Sequence, residues 1–174
     1  VVVPDSMQMN ANLTFKGPQY QAHLDLQEAE GLLNLNAKLN ASTLAYEADL
    51  MVDSLELRHF LPQDSLSLLT TNIKASGQGF DLASPKTKAD IQAVLNHLHY
   101  GHWKFDKMQM HAGLNQSVAS LKVDSDNELL ELKLDGNMRF DRTYLDGTLD
   151  MDVNQVDLYG LGIAPKPLKR PFAF

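Results

Sequence analysis

The stretch LELKLDGNMRF, residues 130–140, decides the fold, because every second residue in it is apolar or small and the residues between are polar. A period of two puts alternate side chains on opposite sides of an extended chain, so the stretch predicts a β-strand with one dry and one wet face. As an α-helix it would carry polar side chains all round the cylinder. The chain has 29 Leu against nine Val and three Ile. Leu favours helices, but the period outweighs that preference.

The same alternation recurs along most of the chain, in residues 7–15, 20–27, 33–41, 44–52 and 145–154. Turn-forming sequences lie between most of these runs, namely KGPQ, EAEG, NQS and SDNE. The pattern therefore predicts antiparallel hairpins joined in a meander, with about eight to ten strands. Two segments break it: residues 54–69 predict a short helix or 3₁₀ turn before Pro62, and residues 81–87 predict a loop fixed by Pro85.

Composition excludes several classes of protein. With 44% hydrophobic residues the chain is not disordered, and a net charge of −7 argues against a nucleic-acid partner. The absence of cysteine excludes disulfides, thiol nucleophiles and cysteine-based zinc sites. Since no run approaches 18 apolar residues, no transmembrane helix is expected in this sequence.

Motifs of known chemistry are weak, and we expect no enzyme, no metal and no cofactor. The histidines, which show no metal-ligand spacing, are interpreted as surface residues: His23, His59, His97, His99, His102 and His111. Asp150 and Asp152 are interpreted as the wet face of a strand, because the glycine and terminal acid of a calcium loop are missing after them. Gly77 and Gly79 indicate a bend or a close backbone approach. Trp103 is expected to cap a hairpin, with a ligand platform as the less favoured reading.

We treat residues 1–174 as a single β-domain, taken from a longer repetitive protein. Residues from about 32 to 62 can be aligned with residues from about 129 to 165. Each copy consists of two alternating strands, a short apolar segment and a proline. Chance similarity between two strand pairs of like composition is the alternative.

The pattern resembles the AsmA-like superfamily of Gram-negative envelope proteins, which includes the large subunit of the translocation and assembly module (TamB-like). The likeness is carried by IKASGQGFDL at 73–82, by the strands that follow it, and by YLDGTLDMDVNQVDLYGLGI at 144–163. The resemblance implies an all-β antiparallel meander bent into an open half-tube (β-taco-like), with an apolar concave face and minimal helix. It also implies a periplasmic location within an inner-membrane-anchored protein, the anchor lying outside this sequence.

The function implied is a hydrophobic groove that takes part in phospholipid transport between the inner and outer membranes and in outer-membrane biogenesis. The expected partners are phospholipid acyl chains and, in addition, outer-membrane assembly proteins. The expected lining residues are Leu33, Leu35, Ala37, Leu39, Leu50, Ile73, Ile91, Leu95, Leu121, Val123, Leu130, Leu132, Leu134, Met138, Phe140, Leu149 and Met151. The alternative is a structural or interaction module that assists outer-membrane protein assembly without carrying lipid.

Overall fold

The computed structural model describes residues 7–60, 66–141 and 143–163. Across these residues the chain forms one open antiparallel sheet of ten strands, arranged in chain order with β1 and β10 at its two edges. The strands are β1 (Met7–Lys16), β2 (Gln19–Glu28), β3 (Gly31–Asn40), β4 (Ala45–Glu56), β5 (Leu66–Gln78), β6 (Lys88–Tyr100), β7 (Trp103–Asn115), β8 (Val118–Asp126), β9 (Leu130–Phe140) and β10 (Leu145–Val156). The predicted all-β meander is therefore confirmed. Bending into a half-tube with an apolar concave face stays a prediction.

Tight turns join the strands where the sequence predicts them. Gln116 and Ser117 have φ angles of 51° and 62°, which suit a two-residue hairpin loop between β7 and β8. The start of β4 differs by one residue from the prediction, because Leu44 lies in the preceding turn with a φ of 56°. The side-chain oxygen of Asn40 accepts the N–H groups of Ser42 and Thr43, and this closes the turn before the strand begins.

The segments without alternation are also where the sequence expects them. A 3₁₀ helix spans Leu57–His59 after β4, whereas Pro62 lies outside the described residues. The loop between β5 and β6 is held by main-chain hydrogen bonds from Ser84 to Asp81 and from Thr87 to Ser84. These irregular segments lie at the ends of strands and leave the ten-stranded ladder continuous.

Register shifts change the pairing of opposite residues near one end of the sheet, although the strands remain paired. One lies between Val52 and Leu55 of β4, and another lies between Val153 and Gln155 of β10. β4 and β10 are the second strands of the two copies of the predicted repeat. Each copy therefore has a register shift near the end of its second strand. The repeat itself stays a prediction.

Candidate functional site on the apolar face

One side of the sheet is apolar from edge to edge, and we call it the apolar face. Directly opposite residues of an antiparallel pair share a face, so the register can be followed across the sheet. One such row contains Ala11, Leu24, Leu35, Leu50, Ile73, Ala93, Met110, Val123, Leu134 and Met151. Every strand contributes an apolar side chain to this row.

The register places all the predicted lining residues on the apolar face. The row beside the first contains Leu13, Ala22, Ala37, Ala48, Ala75, Ile91, Ala112, Leu121, Gly136 and Leu149. Leu33, Leu95 and Leu132 belong to a third row, Leu39 and Met138 to a fourth, and Leu130 and Phe140 lie at the ends of β9. That these residues line a groove for lipid stays a prediction.

Sequence reasoning missed the contribution of β7, which adds Met108, Met110 and Ala112 to this face. The signal was present, since KMQMHAGL alternates at residues 107–114. The alternation is broken just before it, because Lys107 has a φ of 52° and separates Phe105 from Met108 by three residues instead of two. The strict alternation of apolar and polar residues is therefore broken at Lys107, and the pattern does not identify β7 as one continuous strand.

The apolar face is half-buried on the inner strands and most exposed at its two edges. Leu13 on β1 is 61% exposed, and Leu149 on β10 is 65% exposed, because each edge strand lacks a neighbour on one side. Apolar side chains become buried only toward the ends of the strands, as at Val52, Leu55 and Leu114. Such a continuous exposed apolar patch marks a surface that something else covers.

Two aliphatic hydroxyl residues interrupt the third row, and the hydroxyl of each donates to a main-chain carbonyl group. The Thr71 hydroxyl donates to the main-chain carbonyl of Val94 at 3.0 Å, and the Ser125 hydroxyl donates to that of Leu130 at 2.7 Å. Both side chains are buried. The face therefore presents mainly methyl, methylene, thioether and aromatic groups, with the phenol hydroxyls of Tyr20 and Tyr46 in the fourth row. Such a face selects a partner mainly by its hydrophobicity and width.

The opposite side, which we call the polar face, carries cross-strand pairs of polar side chains. The ring of His23 lies between the Asn36 amide oxygen at 2.7 Å and an Asp25 carboxylate oxygen at 2.6 Å, and these hydrogen bonds raise the pKa of His23. The hydrogen bond of 2.6 Å from His111 to Asp90 lowers the pKa of that carboxyl group. All these groups lie at solvated positions, as expected for a wet face.

A recess of about 850 Å³ lies among the polar-face side chains of the last strands. Charged groups of both signs surround it, including Lys122, Lys133, Asp124, Asp135 and Asp150. Of the predicted lining residues only Val123, Leu134 and Met151 border it. It lies on the polar face, so it is not the predicted lipid groove.

Histidines and acids do not converge on a common point: in the described residues, no three of them are placed to hold a metal ion. Asp150 and Asp152 lie on the polar face of β10, as the sequence predicts. Trp103 packs against Tyr100 and Phe105, with ring centroids 5.5 and 6.3 Å apart, and so forms an aromatic cluster at the hairpin between β6 and β7.

Neither the protein-family models, nor the curated proteins, nor the solved structures contain a match to this chain. Among the described residues, no helix combines the length and the apolar character needed to cross a membrane.

Proposed function

We propose that this chain binds phospholipid acyl chains along its apolar face, as a periplasmic segment of an AsmA-like protein that moves phospholipid between the inner and outer membranes. The observation that supports this proposal is the continuity of the apolar face over ten strands. No polar row crosses it between the two edges. The sequence resemblance supports the choice of phospholipid and of compartment.

The dimensions of the face suit an acyl chain that moves across the strands. Ten strands at a spacing of about 4.8 Å span about 43 Å from edge to edge. One leaflet of a bilayer has acyl chains about 15 Å deep, half of a hydrocarbon core of about 30 Å. The face is therefore longer than one acyl layer, so an acyl chain can shift along it and remain on apolar side chains.

The chemistry of the face fits a ligand without a fixed position. Each methylene group that leaves water contributes about 0.8 kcal/mol wherever it lies on the face, because burial of apolar area is non-directional. Met108, Met110 and Met151 add flexible, polarisable side chains that adapt to different neighbours. Binding is thus compatible with movement, since no hydrogen bond must break when the acyl chain advances.

The test is to measure phospholipid that co-purifies with the chain, by mass spectrometry of an organic extract. The variant is Ala37→Gln combined with Ala75→Gln, which puts two amides on the apolar face on either side of Ala48. Because Ala22 and Ala48 are small neighbours of Ala37, a longer side chain has room there and the sheet is expected to fold. Bound phospholipid is expected to fall severalfold.

The matched control is Lys38→Gln with Ser76→Gln, which makes the same new side chains one residue later, on the polar face. The control is expected to retain its phospholipid. Equal phospholipid in the two folded variants would show that the apolar face does not carry the lipid, and the proposal would fail.

The second candidate is an interaction module that assists outer-membrane protein assembly without lipid. The edge strands favour it, because β1 and β10 each have one side that pairs with no other described strand. Absence of phospholipid from the unmodified protein, together with capture of an assembly protein, would select this candidate.

A further inference from the structure

The outer edge of β10 is chemically incomplete on both faces of the sheet. On the apolar face, Leu149 and Met151 are 65% and 60% exposed, because no described strand lies beyond them. On the polar face, Asp150 lies directly opposite another acid, Asp135, whose carboxylate already pairs with Lys122 at 2.8 Å. Like charges directly opposite one another destabilise a sheet, so a donor on the other side of Asp150 would stabilise this edge.

Some other acids of the polar face have a donor on a neighbouring strand. Asp90 accepts from His111 on the next strand at 2.6 Å, and Asp25 accepts from the side-chain amide of Asn34. In the described chain, by contrast, no basic group lies within 4.0 Å of the Asp150 carboxylate. An amide or an ammonium group on an added strand would complete the pattern.

The other edge of the same sheet supplies these donors. The polar face of β1 carries amides at Asn10 and Asn12 and an ammonium group at Lys16. Because the strands alternate in direction from β1 to β10, β1 of a second copy laid beside β10 runs antiparallel to it. The two apolar faces then lie on the same side.

The existing register predicts which residues would meet. The row that begins at Leu13 and ends at Leu149 crosses all ten strands through directly opposite pairs. Continued into a second copy, it sets Leu149 opposite Leu13, and hence Asp150 opposite Asn12. Four residues earlier on β10, Asp146 comes opposite Lys16.

The same register places Phe15 of the second copy opposite Gly147. A Cβ atom at Gly147 would come within 2.6 Å of the Asn137 carbonyl oxygen, so only glycine fits there and this position adds no side chain to the apolar face. Within the sheet, the Tyr46 ring lies over Gly77 in the same cross-strand relation. Phe15 would cover Gly147 as Tyr46 covers Gly77.

We propose that the outer edge of β10 binds β1 of a second copy of this chain, head to tail, so that one sheet and one apolar face continue through successive copies. Pairing of β10 with itself would bring acids against acids. The β10–β1 contact joins two different surfaces, so it does not close at a dimer and builds an open series. The proposal does not depend on lipid binding.

Disulfide trapping tests the register, since the chain has no cysteine of its own. Leu13→Cys and Leu149→Cys are made as separate variants, mixed and mildly oxidised. The mixture is expected to give a covalent dimer that contains one of each. A control mixture of Leu13→Cys with Asp150→Cys sets the two thiols on opposite faces and is expected to give little dimer.

A charge exchange tests the pairing without cysteines. Asn12→Asp puts an acid opposite Asp150 of the neighbour, whereas within its own chain residue 12 faces His23 and the fold is retained. Self-association, measured by sedimentation velocity over a concentration series, is expected to weaken about two- to fivefold. The double variant Asn12→Asp with Asp150→Asn is expected to restore it.

Three results would overturn the proposal. These are a protein that stays monomeric at all concentrations, an association that stops at a dimer and forms no Leu13→Cys–Leu149→Cys disulfide, and an association that Asn12→Asp leaves unchanged. The second result would indicate that two apolar faces cover each other, or that β1 pairs with β1.

Discussion

The close approach of β5 and β6 at Gly77 leads to a sharp prediction about stability. A Cβ atom at position 77 would lie closer than 3.0 Å to two fixed groups, the carbonyl oxygen of Lys88 and the ring hydroxyl of Tyr46. The Tyr46 ring is itself held by Phe80, with centroids 5.4 Å apart and planes 12° from parallel. To relieve these close contacts in Gly77→Ala, the backbone and the stacked ring pair must move together.

We expect Gly77→Ala to lower the free energy of unfolding by about 1–3 kcal/mol, the usual range for overpacking. For a chain of this length, Tm would fall by about 2–4 °C for each kcal/mol. The matched control is Gly113→Ala on β7, where the nearest atom to a new Cβ is the Ser120 hydroxyl at 2.9 Å, at the end of a side chain that can rotate. It should change stability by about 0.5 kcal/mol or less.

Urea unfolding of the unmodified protein and the two variants, followed by circular dichroism, measures the difference. Equal midpoints for Gly77→Ala and Gly113→Ala would refute the reasoning.

Three further predictions concern polar side chains. Asn127→Ala should cost about 1–3 kcal/mol of unfolding free energy in urea, because its buried amide donates to Asp106 at 2.8 Å and would leave that carboxylate unpartnered. The raised pKa of His23 means that its protonated form stabilises the fold below about pH 6.5, a contribution lost as the pH rises through the higher folded value. His23→Gln should flatten the urea midpoint between pH 5.5 and 8.5, and an unchanged profile would contradict this. The lowered pKa of Asp90 acts in the opposite sense. The stabilisation from its hydrogen bond with His111 is present above pH 3.8, and it is lost as the pH falls through the lower pKa that Asp90 has in the folded state. Asp90→Asn should therefore reduce the loss of stability in acid, measured as the urea midpoint below pH 3.8.

The sequence predicts strands and faces well because alternation is a local property. Leu132 and Leu134 share a face whatever the rest of the chain does, and the turn at Gln116–Ser117 depends on its own backbone. Leu-rich strands form despite helix propensity, because ten strands bury part of each apolar side chain against lateral neighbours.

Other features depend on how two strands pair, so the alternation of apolar and polar residues within one strand could not predict them. The shift between Val52 and Leu55 is defined only relative to β5, and the irregularity at Lys107 only relative to β6 and β8. The stacking of Phe80 on Tyr46 joins a loop to a distant strand. For the same reason, the sequence named the apolar residues of the candidate site but did not predict the charged recess on the other side.

Pairing in strict chain order has a consequence for how the molecule comes apart. Each strand is hydrogen-bonded to the strands directly before and after it, from β1 through to β10, so the native contacts are local hairpin contacts that need no long loop to close. In such a quasi-one-dimensional array, stability accumulates from nearest-neighbour terms, and loss of structure can begin at either edge and progress inward strand by strand. Amide hydrogen exchange should accordingly be fastest in β1 and β10 and slowest in β5 and β6, with a gradient between them in place of a single cooperative opening.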